Sequence, residues 1–412
     1  AYVTTLEGLG SSYAVKSDLT VDLFDYGTFN PTADKDPYAA SNGTAGFNKL
    51  ISRNNGRTSW DKNKIDKNNR DFVMVPVPSP NPGAEGQEDG ATTTDSLIRG
   101  IVEKTYETGA DGLKFSDSLH CLKDYGNTIF PNESQYEAMK NRIGGDFTDN
   151  FKAYYGVPIP IKEMGENHYR ISSEDNYIVG KNIGNGKRTI ECLKYGEYSG
   201  NPYETQAGFW PLNDGPYNKY NSKHGNQNFG MKFSTEFYLP EDGTYKGQPL
   251  KFEFTGDDDV WVFIDGQLVL DMGGLHKNVI GTIDFKTGYT KIYGNGAVTD
   301  YHALDGKVSL SADQVNGSDK SDSYVAGYIY GDIEEAAQNA SEAGIRNHRL
   351  ESERCTSIDL SKGEHTLDFY LVERAPYGSN CTIDFTLPVM PKGNLNVVKE
   401  IQGEEQNPNA DR

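Results

Sequence analysis

Alternation of apolar and polar positions dominates the second half of the chain. Met231–Leu239, Leu250–Phe254, Val260–Ile264, Gln267–Leu270, Gly281–Phe285, Thr366–Val372 and Thr382–Leu387 each read as a β-strand, and Leu19–Phe24 is an earlier one. In Val260–Ile264 both faces are apolar, with Val260, Val262 and Ile264 on one and Trp261 and Phe263 on the other. A strand without a polar face lies between two packed layers. Asp265-Gly266 joins it to Gln267–Leu270, and glycine accepts the positive φ of a type I′ turn. Helical signals are few. Asn132-Glu-Ser-Gln135 offers a capping box for a helix that Gly144-Gly145 stops, and Asp332-Ile-Glu-Glu335 opens a second helix ending near Gly344. No strand–helix–strand alternation appears, so the pattern predicts an all-β fold, a sandwich or a barrel, with small helical insertions.

The remaining sequence is polar. Residues 27–69 are rich in Asn, Gly, Asp and Lys, and Pro76–Pro82 reads as extended surface chain. Residues 1–390 read as one all-β unit, with insertions at about 27–205 and 310–355. After Pro388–Pro391 the composition changes, and residues 391–412 read as a linker and the first strand of a further domain, too short to bury a core alone.

Composition narrows the function. Lys plus Arg number 40 and Asp plus Glu 60, a net charge of −20 that repels phosphate backbones and anionic lipid. No nucleic-acid partner is expected. The longest apolar runs fall far short of the roughly 20 residues that cross a bilayer, so membrane insertion is not expected either. The chain opens at Ala1-Tyr2-Val3 without a charged-then-apolar leader, which suits a cytosolic protein or an exported one whose signal has been removed. The four cysteines, Cys121, Cys192, Cys355 and Cys381, show no C-x-x-C spacing. Two disulfides, with Cys355–Cys381 the preferred pair, and four buried thiols are both compatible with the sequence.

The chemistry concentrates at Asp257-Asp258-Asp259, three successive carboxylates at the mouth of the buried strand. Adjacent like charges repel, and hard oxygen donors gathered on a loop suit calcium, which takes 6–8 oxygens. Consecutive strand side chains point to opposite faces. Two neighbouring Asp residues therefore share an ion only where the backbone between them leaves strand geometry, as a cis peptide would allow. A solvated acidic turn is the plainer reading of the same residues.

The stretch from Thr255 to His276, TGDDDVWVFIDGQLVLDMGGLH, resembles the signature of the fibro-slime domain, a relative of the protective-antigen-type β-sandwich. Leu23–Tyr26, Arg99–Val102 with Asp111-Gly112, Gly208–Asn213, Phe229–Met231 and the closing Phe369–Asn380 are similar to the same family. The resemblance implies a secreted or cell-surface protein of bacteria or slime moulds. Its lectin relatives bind glycans through calcium held by two consecutive Asp residues joined by a cis peptide, which places that pair on Asp257 and Asp258, with Asp259 outside it. A second loop supplies an Asn, here Asn380. Tyr377, Trp210 and Ser379 are the candidate sugar contacts. The stub Gly393–Lys399 is similar to the opening strand of collagen-adhesin B-type stalk domains, which makes Lys399 a candidate for an isopeptide bond to a partner beyond Arg412. Lys392 reads as part of the linker.

Other residues read as structural. His276 is expected to bond a backbone carbonyl, and Glu373-Arg374 to form a buried ion pair. No G-x-S-x-G, H-E-x-x-H or phosphate loop is present and no acid pair is nominated for glycoside hydrolysis, so no catalytic residue is expected. The leading expectation is a bacterial cell-surface adhesin domain, part of a longer protein, that binds host or cell-surface glycan through Ca2+. A structural or protein-binding module of the same fold is the alternative.

Overall fold

The computed structural model describes residues 19–25, 96–100, 102–107, 112–114, 130–143, 152–165, 167–174, 176–194, 208–214, 229–274, 276, 278–294, 300–303, 309–311, 324–338, 355–373 and 379–387. These residues form an all-β sandwich. Its first sheet has six antiparallel strands in the order Gln267–Met272, Asp259–Ile264, Gly363–Glu373, Phe229–Leu239, Thr20–Asp25, Lys152–Pro158. The second has eight, in the order Thr356–Ser357, Tyr324–Tyr328, Tyr289–Gly294, Val279–Asp284, Lys251–Gly256, Cys381–Phe385, His168–Ser172, Lys162–Gly165.

The core between the sheets is aromatic. Phe369 of the first sheet stacks on Phe233 with ring centroids 5.0 Å apart and meets Phe254 of the second at 5.5 Å. All six residues of Asp259–Ile264 are buried, because the outer face of the first sheet is covered too. Phe130 packs edge-on to Phe24 and against Tyr370, while Tyr106 packs on Phe263. The segment carrying Tyr106 is stitched to the sheet edge, where Leu268 N donates to Lys104 O and Tyr106 N to Gly266 O.

Several expectations meet the structure directly. Asp265 and Gly266 take φ of 49° and 73°, as the type I′ hairpin requires. Asn132 and Gln135 exchange side-chain and backbone hydrogen bonds at the start of the helix Glu133–Ile143, completing the capping box. The second helix, Ile333–Gln338, begins after Asp332, whose carboxylate accepts Glu334 N. Within the stretch expected as the first insertion, Lys152–Pro158, Lys162–Gly165 and His168–Ser172 complete the edges of both principal sheets. The hairpin Asn176–Gly184/Lys187–Lys194 pairs with Gly208–Asp214 as a smaller sheet.

The Cys355–Cys381 disulfide does not form. Cys355 packs with Tyr289, Val325 and Ile333 and its thiol donates to Val325 O, whereas Cys381 belongs to the main core at the start of its strand. The shared richness in strands that suggested the pair carries no information about which strands meet.

Candidate functional site

Two links between the sheets start and finish beside one another at one end of the sandwich. In the first, Lys251–Gly256 of the eight-stranded sheet passes through Asp257 and Asp258 into Asp259–Ile264 of the six-stranded sheet. In the second, the chain returns from Glu373 to Cys381. Strand pairing fixes their proximity, since Gly256 faces Cys381 and Asp259 faces Val372. The approach leaves no room for a side chain at position 256, where a Cβ would lie 2.3 Å from Asn380 O.

The backbone does leave strand geometry between the two acids, by a different route from the one expected. No described peptide bond is cis; instead Asp258 takes a left-handed conformation, φ 59°, which Asp tolerates better than most residues. Asp257 then turns to the second crossover, accepting from Asn380 N at 2.5 Å and Asn380 Nδ2 at 3.2 Å. Asp258, 1% exposed, hydrogen-bonds the Glu373 carboxyl, which also bonds Ser379. Asp258 N is closed by His276 O, and Asp259 lies apart, its carboxylate accepting Gly274 N at 2.6 Å. His276 Nε2 faces Met272 O at 3.1 Å, the structural role expected of it.

Asp257, Asp258 and Glu373 thus converge. Burial first, and then repulsion from Asp258 and Asp257, pushes the Glu373 carboxyl well above its ordinary pKa. Burial pushes Asp257 up to about 6 even though Asn380 donates to it. The same surroundings push the Cys381 thiol up, so it stays protonated. Asp258, Glu373 and Ser379 are buried while Asp257 and Asn380 are half-buried, so the cluster opens to solvent on their side. Its oxygens are hard, carboxylates and the Ser379 hydroxyl, while Asn380 presents Nδ2 to Asp257. Among the described residues no three His, Cys, Asp or Glu side chains are gathered as a metal-holding group.

Trp210 lies near the second crossover, where Phe209 N donates to Ser379 O at 2.7 Å. Its ring is 3% exposed and packs with Tyr177, Val179 and Leu193. Tyr377, Arg374, Lys392, Lys399 and Cys121 lie outside the described residues, as does the 391–412 stub. The ion pair expected of Glu373-Arg374 falls partly outside the described residues, and the place of Glu373 beside Asp258 is not anticipated by the sequence. The available signal was an acid closing the buried run Phe369–Val372, much as Asp257 closes Phe252–Gly256.

Residues 212–313 match the PA14 domain model. The chain is also similar to slime-mould proteins of Dictyostelium discoideum. It is 37% identical over 222 residues to Protein psiP, covering 51% of this chain and 26% of that one. It is 45% identical over 167 residues to Protein psiI, covering 40% and 19%, and 46% identical over 81 residues to Protein psiH, covering 19% and 10%. The chain therefore spans about a quarter or less of the length of these relatives. No solved structure matches it. The region matched by the domain model holds the first crossover, Gly256–Asp259, and its buried strand.

Proposed function

We propose that this chain is an exported cell-surface adhesion module of a bacterium or slime mould, binding glycan hydroxyls through a calcium ion at the crossover end of the sandwich. PA14 domains are in general carbohydrate-binding or adhesion modules, which supports the coarser part of this reading. The observation that carries the finer part is the convergence of Asp257 and Asp258 beside Glu373. Carboxylates packed together in a half-dry site favour either retained protons or a divalent cation. Asp257 and Asp258 would hold the ion, with Asn380 turning its amide oxygen inward in place of the Nδ2 that now faces Asp257. Calcium would supply open coordination positions for vicinal sugar hydroxyls. The protein's own part is to hold half-buried Asp257 toward the solvent side with buried Asp258 and Glu373 behind it, so that a cation would offset the burial that favours their protonated forms.

A second reading has an observation of its own. Glu373 hydrogen-bonds Asp258 directly, an arrangement that a shared proton holds without any ion. The module would then be structural or protein-binding. A glycan array probed with the full chain, with calcium and with chelator, separates the two. The calcium reading expects binding that chelator removes and Asp257→Asn abolishes, while binding indifferent to both favours the second.

A further inference from the structure

The outer face of the six-stranded sheet carries a lysine set between two acids. Asp22 stands directly opposite Lys232 on one neighbouring strand, and Tyr370 stands directly opposite it on the other. Asp368 is two residues from Tyr370, on the same face. Lys232 Nζ is 3.7 Å from Asp22 Oδ2 and 5.7 Å from the Phe24 ring centroid. Phe24 is enclosed in turn by Phe130 and Tyr155, at centroid distances of 5.5 and 6.0 Å. On the far side of Asp22 the partner strand bulges, so that Tyr155 and Gly156 together face one residue. Gly156, at φ 63°, donates its N–H to Asp22 Oδ1 at 2.9 Å.

From this arrangement we infer that Lys232 and Asp22 condense into an intramolecular isopeptide bond that pins the Thr20–Asp25 strand to Phe229–Leu239. The reaction needs a neutral amine, and burial lowers the Lys232 pKa against the opposing pull of Asp22 and Asp368. The amine attacks Cγ of the protonated Asp22 carboxyl, forming the C–N bond. Charge gathers on Oδ1, where the Gly156 N–H already points within the distance expected of an oxyanion donor. The nitrogen's surplus proton passes to Asp368 and from there to Oδ2, which leaves as water when the C–O bond breaks. One amine and one carboxylic acid give one amide and one water, with no oxidant or cofactor. Tyr106 donates to Asp368 Oδ2 at 2.6 Å and holds that carboxylate toward the sheet. Pairing across adjacent strands makes the attack effectively unimolecular, and the Phe24 ring shields one side of a pair whose side chains are 24% and 27% exposed.

Intact mass of the purified full chain, followed by tandem mass mapping of its proteolytic peptides, tests this. The expected result is a loss of one water, mapped to a branched peptide joining Asp22 to Lys232. Lys232→Arg restores the full sequence mass, and Asp22→Asn still cross-links but expels ammonia in place of water. Asp368→Asn leaves the chain unlinked while it still melts cooperatively. Full sequence mass in the folded wild-type chain, or a water loss mapped elsewhere, overturns the inference. Linking at the native rate in Asp368→Asn overturns the proton relay.

Discussion

The buried strand Asp259–Ile264 has an acidic turn at each end, and the two have opposite electrostatics. At the entry, burial pushes Asp257 toward protonation, and burial together with the charges of Asp258 and Asp257 pushes Glu373 the same way. At the exit, Asp265 Oδ2 meets His365 Nδ1 at 2.6 Å and Oδ1 accepts Thr366 N at 2.9 Å. His365 Nε2 faces Ser361 O at 2.7 Å, so both ring nitrogens face acceptors and the imidazolium is favoured. Although burial opposes it, the hydrogen bond from His365 lowers the Asp265 pKa, and the same bond raises that of His365. One residue type therefore does two jobs on one strand. At the exit the acid is matched by a donor and closes a hairpin; at the entry the acids are set against each other and await a proton or an ion.

The strand that joins the ends sets the largest effect. Ile264 is fully buried, so Ile264→Ala is expected to cost about 2–5 kcal/mol in chemical denaturation and to weaken both turns together. Next comes the entry. Both acids have folded pKa values above their unfolded ones, so the contribution of Asp257 is complete below about pH 4 and is lost as pH rises through about 6, and that of Glu373 is likewise lost as pH rises. Asp257→Asn in chelator is expected to gain about 1–3 kcal/mol at pH 7 and to flatten that pH dependence. Asp265→Ala at the exit is expected to lose about 1–2 kcal/mol, discounted because the Asp265 side chain is 39% exposed. The exit clasp has the opposite sign. Its contribution fades below the depressed Asp265 pKa and again above the raised His365 pKa, so between pH 4 and 6 the exit holds while the entry weakens. Ile183, 57% exposed near the tip of the Asn176–Lys194 hairpin, is the baseline: Ile183→Ser is expected to move stability by less than about 0.5 kcal/mol.

The exit was legible in the sequence because Asp265-Gly266 is a local requirement, two adjacent positive φ values between apolar runs. The capping box at Asn132/Gln135 was legible for the same reason. The doubly buried Val260–Ile264 was legible as well, since five apolar residues in a row leave no face for water. Strands such as Lys162–Gly165 were not, because an edge strand whose four residues are all exposed carries no apolar alternation. The entry was half legible. Asp257 and Asp258 announce themselves as neighbours, but Glu373 and Ser379 reach them only through sheet pairing more than a hundred residues away. The cis link expected between the acids is replaced by a left-handed Asp258, a choice that composition and spacing do not reveal.

The central claim is that the entry cluster is a cation site. Thermal melting of the full chain between pH 4 and 8, in calcium and in chelator, tests it most directly. The account expects the melting temperature in chelator to fall as pH rises through about 6, and calcium to remove that fall in the wild type but not in Asp258→Ala. Superimposable curves with and without calcium at pH 7 would contradict it.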